Sequence, residues 1–164
     1  MSHRQSERDR HGWNSLQNYK TIHEKCLDEC RAYFVEQDTL QFEVVSTSRI
    51  VLSGQIYCHG DLVIYVDKTL ERNERNQVRG LRYSYQAQFA SPPLRQIFRY
   101  DNSHVYVEEG HEDAFHKHQF SYRTWKEIEP PVWIGRQNWP ELSKVIDELY
   151  EWWIEHRDDR LIYP

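Results

Sequence analysis

Apolar residues recur at helical spacing near both ends of the chain. The first pattern predicts a helix over residues 14–35, capped by Asn14 or Asn18. Its stripe consists of Tyr19, Ile22, Cys26, Cys30 and Phe34. The second pattern predicts a helix that starts at Pro140 and ends at about His156. Its stripe consists of Leu142, Val145, Ile146, Leu149 and Trp153.

Strand patterns fill the region between these two helices. Alternating or continuous apolar runs predict five strands, over residues 40–44, 50–57, 62–66, 81–86 and 97–101. The links between successive strands are short, which favours antiparallel pairing. The sequence therefore predicts an α+β fold, in which the N-terminal and C-terminal helices pack against a largely antiparallel sheet of about five strands.

The chain is long enough for one domain with its own core. With 164 residues and no internal repeat, we expect a single α+β domain over residues 14–157. Residues 1–13 are polar and charged, as is typical of a disordered tail, and residues 158–164 are expected to form a loose tail. No apolar run reaches the roughly 20 residues that span a bilayer, and the N-terminus lacks a signal-peptide pattern. We therefore expect a cytoplasmic protein with no membrane partner.

Charge is distributed unevenly along the sequence. The net charge is −5, yet residues 72–99 carry six arginines and a single acid, Glu74. Residues 101–113 then carry five acids and neither lysine nor arginine. A local basic region on an acidic protein favours a focused anion site over a general nucleic-acid coat. The three cysteines are too few for a disulfide framework, which agrees with a reducing compartment.

Two histidines, His116 and His118, are the first candidates for chemistry. If this segment is extended, both imidazoles lie on one face and Lys117 lies on the other. Such a pair can act as general acid and general base on a phosphodiester, or it can bind a metal ion. On spacing alone, it is about equally probable that this segment is an exposed His-Lys-His run without any function.

Two further groups in the region offer contacts to phosphates or bases. The strand end at Arg99, Asp101, Asn102 and His104 combines a guanidinium fork with groups that can orient a histidine or bind a base. The alternative there is a turn in which Asn102 binds its own backbone. Tyr83 and Tyr85 share one strand face and are either core residues or a stacking platform for RNA, which Arg79 and Arg82 would flank.

The order of three short motifs points to a family. The segments RYSYQAQF, IFRYDNSH and HKHQF follow a helix and three strands, and this arrangement resembles the TumE-type toxins of toxin–antitoxin systems. Gln86 stands where the family pattern has a histidine, and Ala114 stands where it has a proline. The residues that match the family motifs are Tyr83, Tyr85, Arg99, Asp101, Asn102, His104, His116, Lys117 and His118.

The resemblance implies a toxin that acts on RNA and is neutralised by an antitoxin, often one of the helix-turn-helix class. We interpret the chain as a metal-independent endoribonuclease that needs no cofactor. His116 and His118 would be acid and base, with His104 as a substitute and Asp101 to orient a histidine. The residues that would bind the phosphate are Arg82, Arg99 and Lys117. Those that would bind RNA are Arg79, Arg82, Tyr83, Tyr85 and Asn102.

Two other functions stay open on sequence grounds. A non-catalytic RNA- or protein-binding subunit of a defence or regulatory complex would explain the altered motif positions. The tryptophan-rich C-terminal helix would then form a homodimer or partner surface, because Trp152 and Trp153 point in different directions on a helix. A metal-dependent nuclease or phosphatase would use Asp101, His104, His116 and His118, although carboxylates are few for a magnesium site.

Overall fold

The chain folds into one open antiparallel sheet with helices on one face. The computed structural model describes residues 12–102 and 110–164, and in this part of the chain nine strands and two α-helices are present. The helices are α1 (Leu16–Arg31) and α2 (Leu142–His156), and a 3-10 turn spans Arg136–Asn138. The strands are β1 (Asn14–Ser15), β2 (Val35–Asp38), β3 (Gln41–Ser46), β4 (Arg49–Cys58), β5 (Leu62–Arg72), β6 (Gln77–Phe89), β7 (Gln96–Asp101), β8 (His116–Gln119) and β9 (Val132–Trp133).

The strand order follows the chain across most of the sheet. It runs β2-β4-β5-β6-β7-β8-β9, while β3 pairs with the other end of β4 and β1 pairs with the start of β6. All of these pairs are antiparallel. The predicted α+β class and the antiparallel pairing are therefore confirmed.

The predicted number of strands was wrong. The five expected strands correspond to β3 through β7, and the structure adds β1, β2, β8 and β9. The added strands are only two to four residues long, so they contain too few positions to show an alternating pattern. Their pairing depends on neighbours that are distant in sequence.

Helix α1 is shorter than the pattern predicted and has a different cap. It spans Leu16–Arg31, and the Ser15 side chain accepts a hydrogen bond of 3.1 Å from the backbone N–H of Asn18. Ser15, rather than Asn14 or Asn18, is therefore the N-cap. The buried face of α1 carries Leu27 and Cys30, together with His23.

Helix α2 and the segment before it cover the centre of the sheet. Trp139 is fully buried and packs on the rings of Tyr83, Tyr85 and Tyr100. The apolar stripe of α2 is buried as predicted, at Leu142, Val145, Ile146 and Leu149. The helix begins at Leu142 instead of Pro140. No helix in residues 12–102 and 110–164 is long and apolar enough to cross a membrane.

The C-terminal segment is anchored to the domain. Ile162 is only 1% exposed, and the Tyr163 hydroxyl donates a 2.9 Å hydrogen bond to the carbonyl oxygen of Gly60. The expectation of a loose tail over 158–164 is corrected by these contacts. The N-terminal tail expected over 1–13 lies almost entirely outside the described residues.

The two tryptophans expected to form a dimer surface contact the core instead. Trp153 packs against Phe34 and His59, and Trp152 packs edge-on against Phe89. Both rings are half-buried, which removes the reason for placing a homodimer on them.

The buried imidazole of His23 makes stability depend on pH. Burial, aided by the nearby Lys68 and Arg31 and opposed by Asp38, lowers the pKa of His23 from 6.5 to about 4. Between pH 6.5 and pH 4 the unfolded chain therefore binds a proton that the folded chain does not. As the pH is lowered from 6.5 to 4, the free energy of unfolding should therefore fall by roughly 3 kcal/mol because of His23 alone.

Urea unfolding of the wild type and of His23→Gln at several pH values measures this effect. The variant should lose less stability between pH 6.5 and pH 4 than the wild type. His59→Gln changes an exposed histidine and is the matched control for the substitution itself. Equal slopes in the wild type and in His23→Gln would contradict the assignment.

Candidate active site

The register of three adjacent strands gathers polar side chains on the face of the sheet away from the helices. Arg99 of β7 lies opposite His118 of β8, and Asp101 lies opposite His116. Residues directly opposite in antiparallel strands share a face. The resulting surface, here called the polar face, carries Ser84, Gln86, Arg99, Asp101, His116 and His118.

The two imidazoles of the polar face contact each other. His116 Nε2 and His118 Nε2 are 2.8 Å apart, and an Arg99 guanidinium nitrogen lies 3.0 Å from His118 Nε2. His118 Nδ1 bonds the carboxylate of Glu127, and His116 Nδ1 lies 2.7 Å from the carbonyl oxygen of Ala114. Both imidazoles are thus held through Nδ1 by an oxygen, with their Nε2 atoms directed at one point.

These contacts are consistent with one arrangement of protons. Arg99 can only donate, so His118 Nε2 accepts and His118 Nδ1 carries the proton that it donates to Glu127. The Ala114 carbonyl can only accept, so His116 Nδ1 donates to it, and His116 Nε2 donates to His118. In this arrangement the lone pair of His118 lies on Nε2, and His116 Nε2 carries the proton that it shares with His118. A base and an acid stand side by side.

Arg99 and Asp101 border the histidine pair. Arg99 Nε lies 3.7 Å from a carboxylate oxygen of Asp101, whose residue is only 8% exposed. An arginine fixed between a carboxylate and a histidine keeps its planar fork close to the imidazoles. This placement suits contact with an oxyanion. His104, proposed as a substitute acid or base, lies outside the described residues.

Lys117 does not belong to the polar face. Its side chain points to the helix side, where its ammonium pairs with Glu148 of α2. The Tyr100 hydroxyl donates a 2.6 Å hydrogen bond to the other oxygen of Glu148. Lys117 therefore joins β8 to α2, which corrects its expected role in phosphate binding.

Three expected RNA-binding residues are used inside the fold. Tyr83 and Tyr85 are 6% and 1% exposed, so their rings do not offer a stacking surface. Asn102 extends the β6–β7 ladder, because its side-chain oxygen accepts a 2.7 Å hydrogen bond from the Tyr83 N–H. The core alternative describes the two tyrosines correctly. The alternative for Asn102, a turn that binds its own backbone, was wrong, because its side chain binds the backbone of β6 instead.

The two remaining arginines lie toward one end of the sheet. Arg82 is exposed and, by strand alternation, points to the polar face on the same strand as Ser84. Arg79 makes a 2.9 Å ion pair with Glu71, and its guanidinium lies 4.5 Å from the ring centroid of Trp13. Arg82 is therefore more available than Arg79 for contact with an anion.

Glu127 is the member of the site that sequence reasoning missed. It follows His118 by nine residues and returns to it because Phe120 and Glu127 form a bridge that closes the intervening turn. No motif marks this carboxylate, and a turn signal between 120 and 127 would have been the only pointer to it. Within residues 12–102 and 110–164, no group of three or more His, Cys, Asp or Glu side chains is placed to hold a metal ion.

Comparison with known proteins identifies a family. The family model described as Toxin TumE matches residues 23–158, which is most of the chain and includes every residue of the polar face. No curated protein and no solved structure matches the chain.

Proposed function

The chain belongs to the TumE toxin family, and from this premise we propose that it is an RNA-cleaving toxin whose acid–base pair is His116 and His118. The observation that supports the proposal is the 2.8 Å contact between two imidazoles that are each fixed through Nδ1 on a polar sheet face. A histidine pair with one base and one acid is the minimum that phosphodiester transesterification needs.

The proposed reaction uses the ribose of the substrate as nucleophile. His118 Nε2 removes the proton from the 2′-hydroxyl, and the 2′-oxygen attacks the adjacent phosphorus. His116 gives its proton to the departing 5′-oxygen, so the bond from phosphorus to that oxygen breaks. The products are a 2′,3′-cyclic phosphate and a free 5′-hydroxyl. Arg99 would bind the phosphoryl oxygens as negative charge gathers on them.

The contact between the imidazoles must open before a phosphate can bind. His118 is only 7% exposed and contacts both Glu127 and Arg99, whereas His116 is half-buried and more open to solvent. We therefore propose that His116 moves to admit the phosphate while His118 stays in place. Exposed Arg82 would contact the next phosphate along the strand.

The chemistry of cleavage provides the direct test. Purified protein incubated with total RNA in EDTA should produce fragments that end in a 2′,3′-cyclic phosphate. An oligonucleotide with a single 2′-deoxyribose at the scissile position should resist cleavage, because it lacks the nucleophile. Mass spectrometry of the fragments measures both outcomes.

Two results would contradict this mechanism. Cleavage that stops in EDTA and returns with a divalent ion would favour the metal-dependent alternative. Fragments with 5′-phosphates would show that water, rather than the 2′-hydroxyl, is the nucleophile. An oligonucleotide with a 2′-deoxyribose away from the cleavage position serves as the matched control.

The partner of the chain follows from the same family. A toxin of this kind has an antitoxin partner. We propose that this antitoxin is of the helix-turn-helix class and that the RNA target places the toxin in the cytoplasm.

A non-catalytic function is the second candidate, because the ring nitrogens of both histidines are already engaged within the protein. Expression without growth arrest or RNA cleavage, together with co-purification of a partner, would favour it.

A further inference from the structure

A pocket lies on the helix side of the sheet, on the opposite side from the histidine pair. Its volume is about 120 Å³, and it lies between α1 and the start of α2. Its walls are mostly aromatic or aliphatic, and they include Ile22, Tyr85, Trp139 and Leu142. An apolar cavity of roughly 150 Å³ can hold benzene, so a volume of about 120 Å³ limits the apolar body to one small ring at most.

Lys68 supplies an ammonium group to the pocket. Its ammonium lies 5.2, 5.4 and 5.9 Å from the ring centroids of Tyr19, Tyr83 and Tyr85. In the part of the chain that the structure describes, Lys68 forms no ion pair with a carboxylate. Burial lowers the pKa of Lys68, and the neighbouring Tyr19, Tyr85 and Tyr83 oppose that lowering.

An ammonium that lies among tyrosine rings and forms no ion pair is costly unless an anion joins it. Tyrosine ring faces and a hydroxyl compensate part of the lost hydration, but they bring no negative charge. His23, which also lines the pocket, has a pKa lowered to about 4 by burial, so it is neutral at pH 7 and adds no second positive charge.

The N-terminus of α2 also favours binding of an anion. Leu142 and Ser143 line the pocket and are the first two residues of this helix, where backbone N–H groups lack intrahelical acceptors. The N-cap residue Glu141 also lines the pocket and makes no capping bond with its side chain. Its carboxylate is the acid of the site and opposes an anion, so the net preference rests on Lys68.

We propose that this pocket binds a small carboxylate carried on an apolar body of about one ring, with the carboxylate on Lys68 and Tyr19 and the body among the aromatic walls. The site is independent of the proposed nuclease centre, since the sheet separates the two. The hydrogen bond from Lys68 to the carboxylate should be stronger than the one from Tyr19, because charge-assisted hydrogen bonds exceed neutral ones in strength. The volume excludes a nucleotide base with its sugar.

Calorimetric titration of the full chain tests the ligand class. Benzoate is the probe, benzamide is its neutral isostere, and inorganic phosphate is an anion without an apolar body. Benzoate should bind at least about tenfold more tightly than benzamide, the loss expected when a charged hydrogen-bonding partner is removed. Benzoate that binds no better than benzamide would overturn the proposal, and phosphate that binds as tightly as benzoate would overturn the carboxylate assignment.

Three variants locate the binding site. Lys68→Met should weaken benzoate binding by about tenfold to a hundredfold, whereas Glu141→Gln should leave it equal or tighter because a like charge is removed. Ile22→Trp fills the pocket and should abolish binding in a folded protein, and it keeps the proposal testable if Lys68→Met fails to fold. Unchanged binding in Lys68→Met or in Ile22→Trp, or weaker binding in Glu141→Gln, would contradict the assignment.

Discussion

Replacing His118 by alanine is expected to lower the rate of RNA cleavage by about 10²- to 10⁴-fold, which is the usual contribution of a general base. His118 is held at both ring nitrogens, since Glu127 contacts its Nδ1 and Arg99 contacts its Nε2. Without its imidazole, the site loses the group that is proposed to take the proton from the 2′-hydroxyl. Single-turnover cleavage of a labelled RNA measures the effect.

The matched control is His59→Ala. His59 is exposed and pairs with Glu36 at 2.9 Å, so it is a histidine–carboxylate pair outside the polar face. This variant should cleave RNA at the wild-type rate. Full activity in His118→Ala, or an equal loss in both variants, would exclude His118 as the base. In cells, the same comparison should show growth arrest in His59→Ala and its loss in His118→Ala.

The long patterns in the sequence predicted the main elements of the fold. The stripe of α2 and the apolar runs of β4 and β5 place enough residues on one face to indicate both type and position. β2 and β9 could not be found in this way, because strands of four and two residues form only where a partner edge is present. The hydrophobic pattern therefore predicted long helices and strands well and short strands poorly.

The sequence could predict those parts of the candidate site in which strand alternation alone determines the face on which a side chain lies. Alternation in β8 puts His116 and His118 on one face, and the register of β7 adds Arg99 and Asp101 to it. The partners from distant segments were not predictable. Glu148 turns Lys117 into a helix anchor, and Glu127 supplies the carboxylate of the histidine pair. Both depend on how α2 and the turn after β8 fold back.

Tyr83 and Tyr85 show why residue type is a weak guide to role. In an alternating strand, tyrosines fit both a stacking platform and a core. Trp139 decides between these roles, because its buried ring contacts both tyrosines on the helix side. Trp139 lies in the segment before α2, more than fifty residues after the two tyrosines in the sequence. The motif match to the family therefore includes residues that maintain the fold as well as residues of the polar face.

Replacing Glu127 by glutamine is expected to lower kcat for RNA cleavage by roughly 10²- to 10⁴-fold, with little change in KM. The carboxylate accepts the Nδ1 proton of His118 and so keeps the lone pair on Nε2, where the substrate binds. A glutamine can turn its NH₂ group toward Nδ1 and favour the other tautomer, which has no base at Nε2. Glu127 is thus a positioning residue, and the split between kcat and KM separates that role from substrate binding.

Glu129→Gln is the matched control, since Glu129 is exposed and lies two residues away on the same segment. It should retain wild-type kcat, and both variants should unfold near the wild-type temperature. Glu127→Asp keeps the negative charge and should recover part of the activity if its shorter carboxylate still reaches His118. A Glu127→Gln protein with normal kcat would show that His118 needs no carboxylate to hold its tautomer. A loss of kcat accompanied by a large drop in unfolding temperature would instead assign Glu127 to the fold.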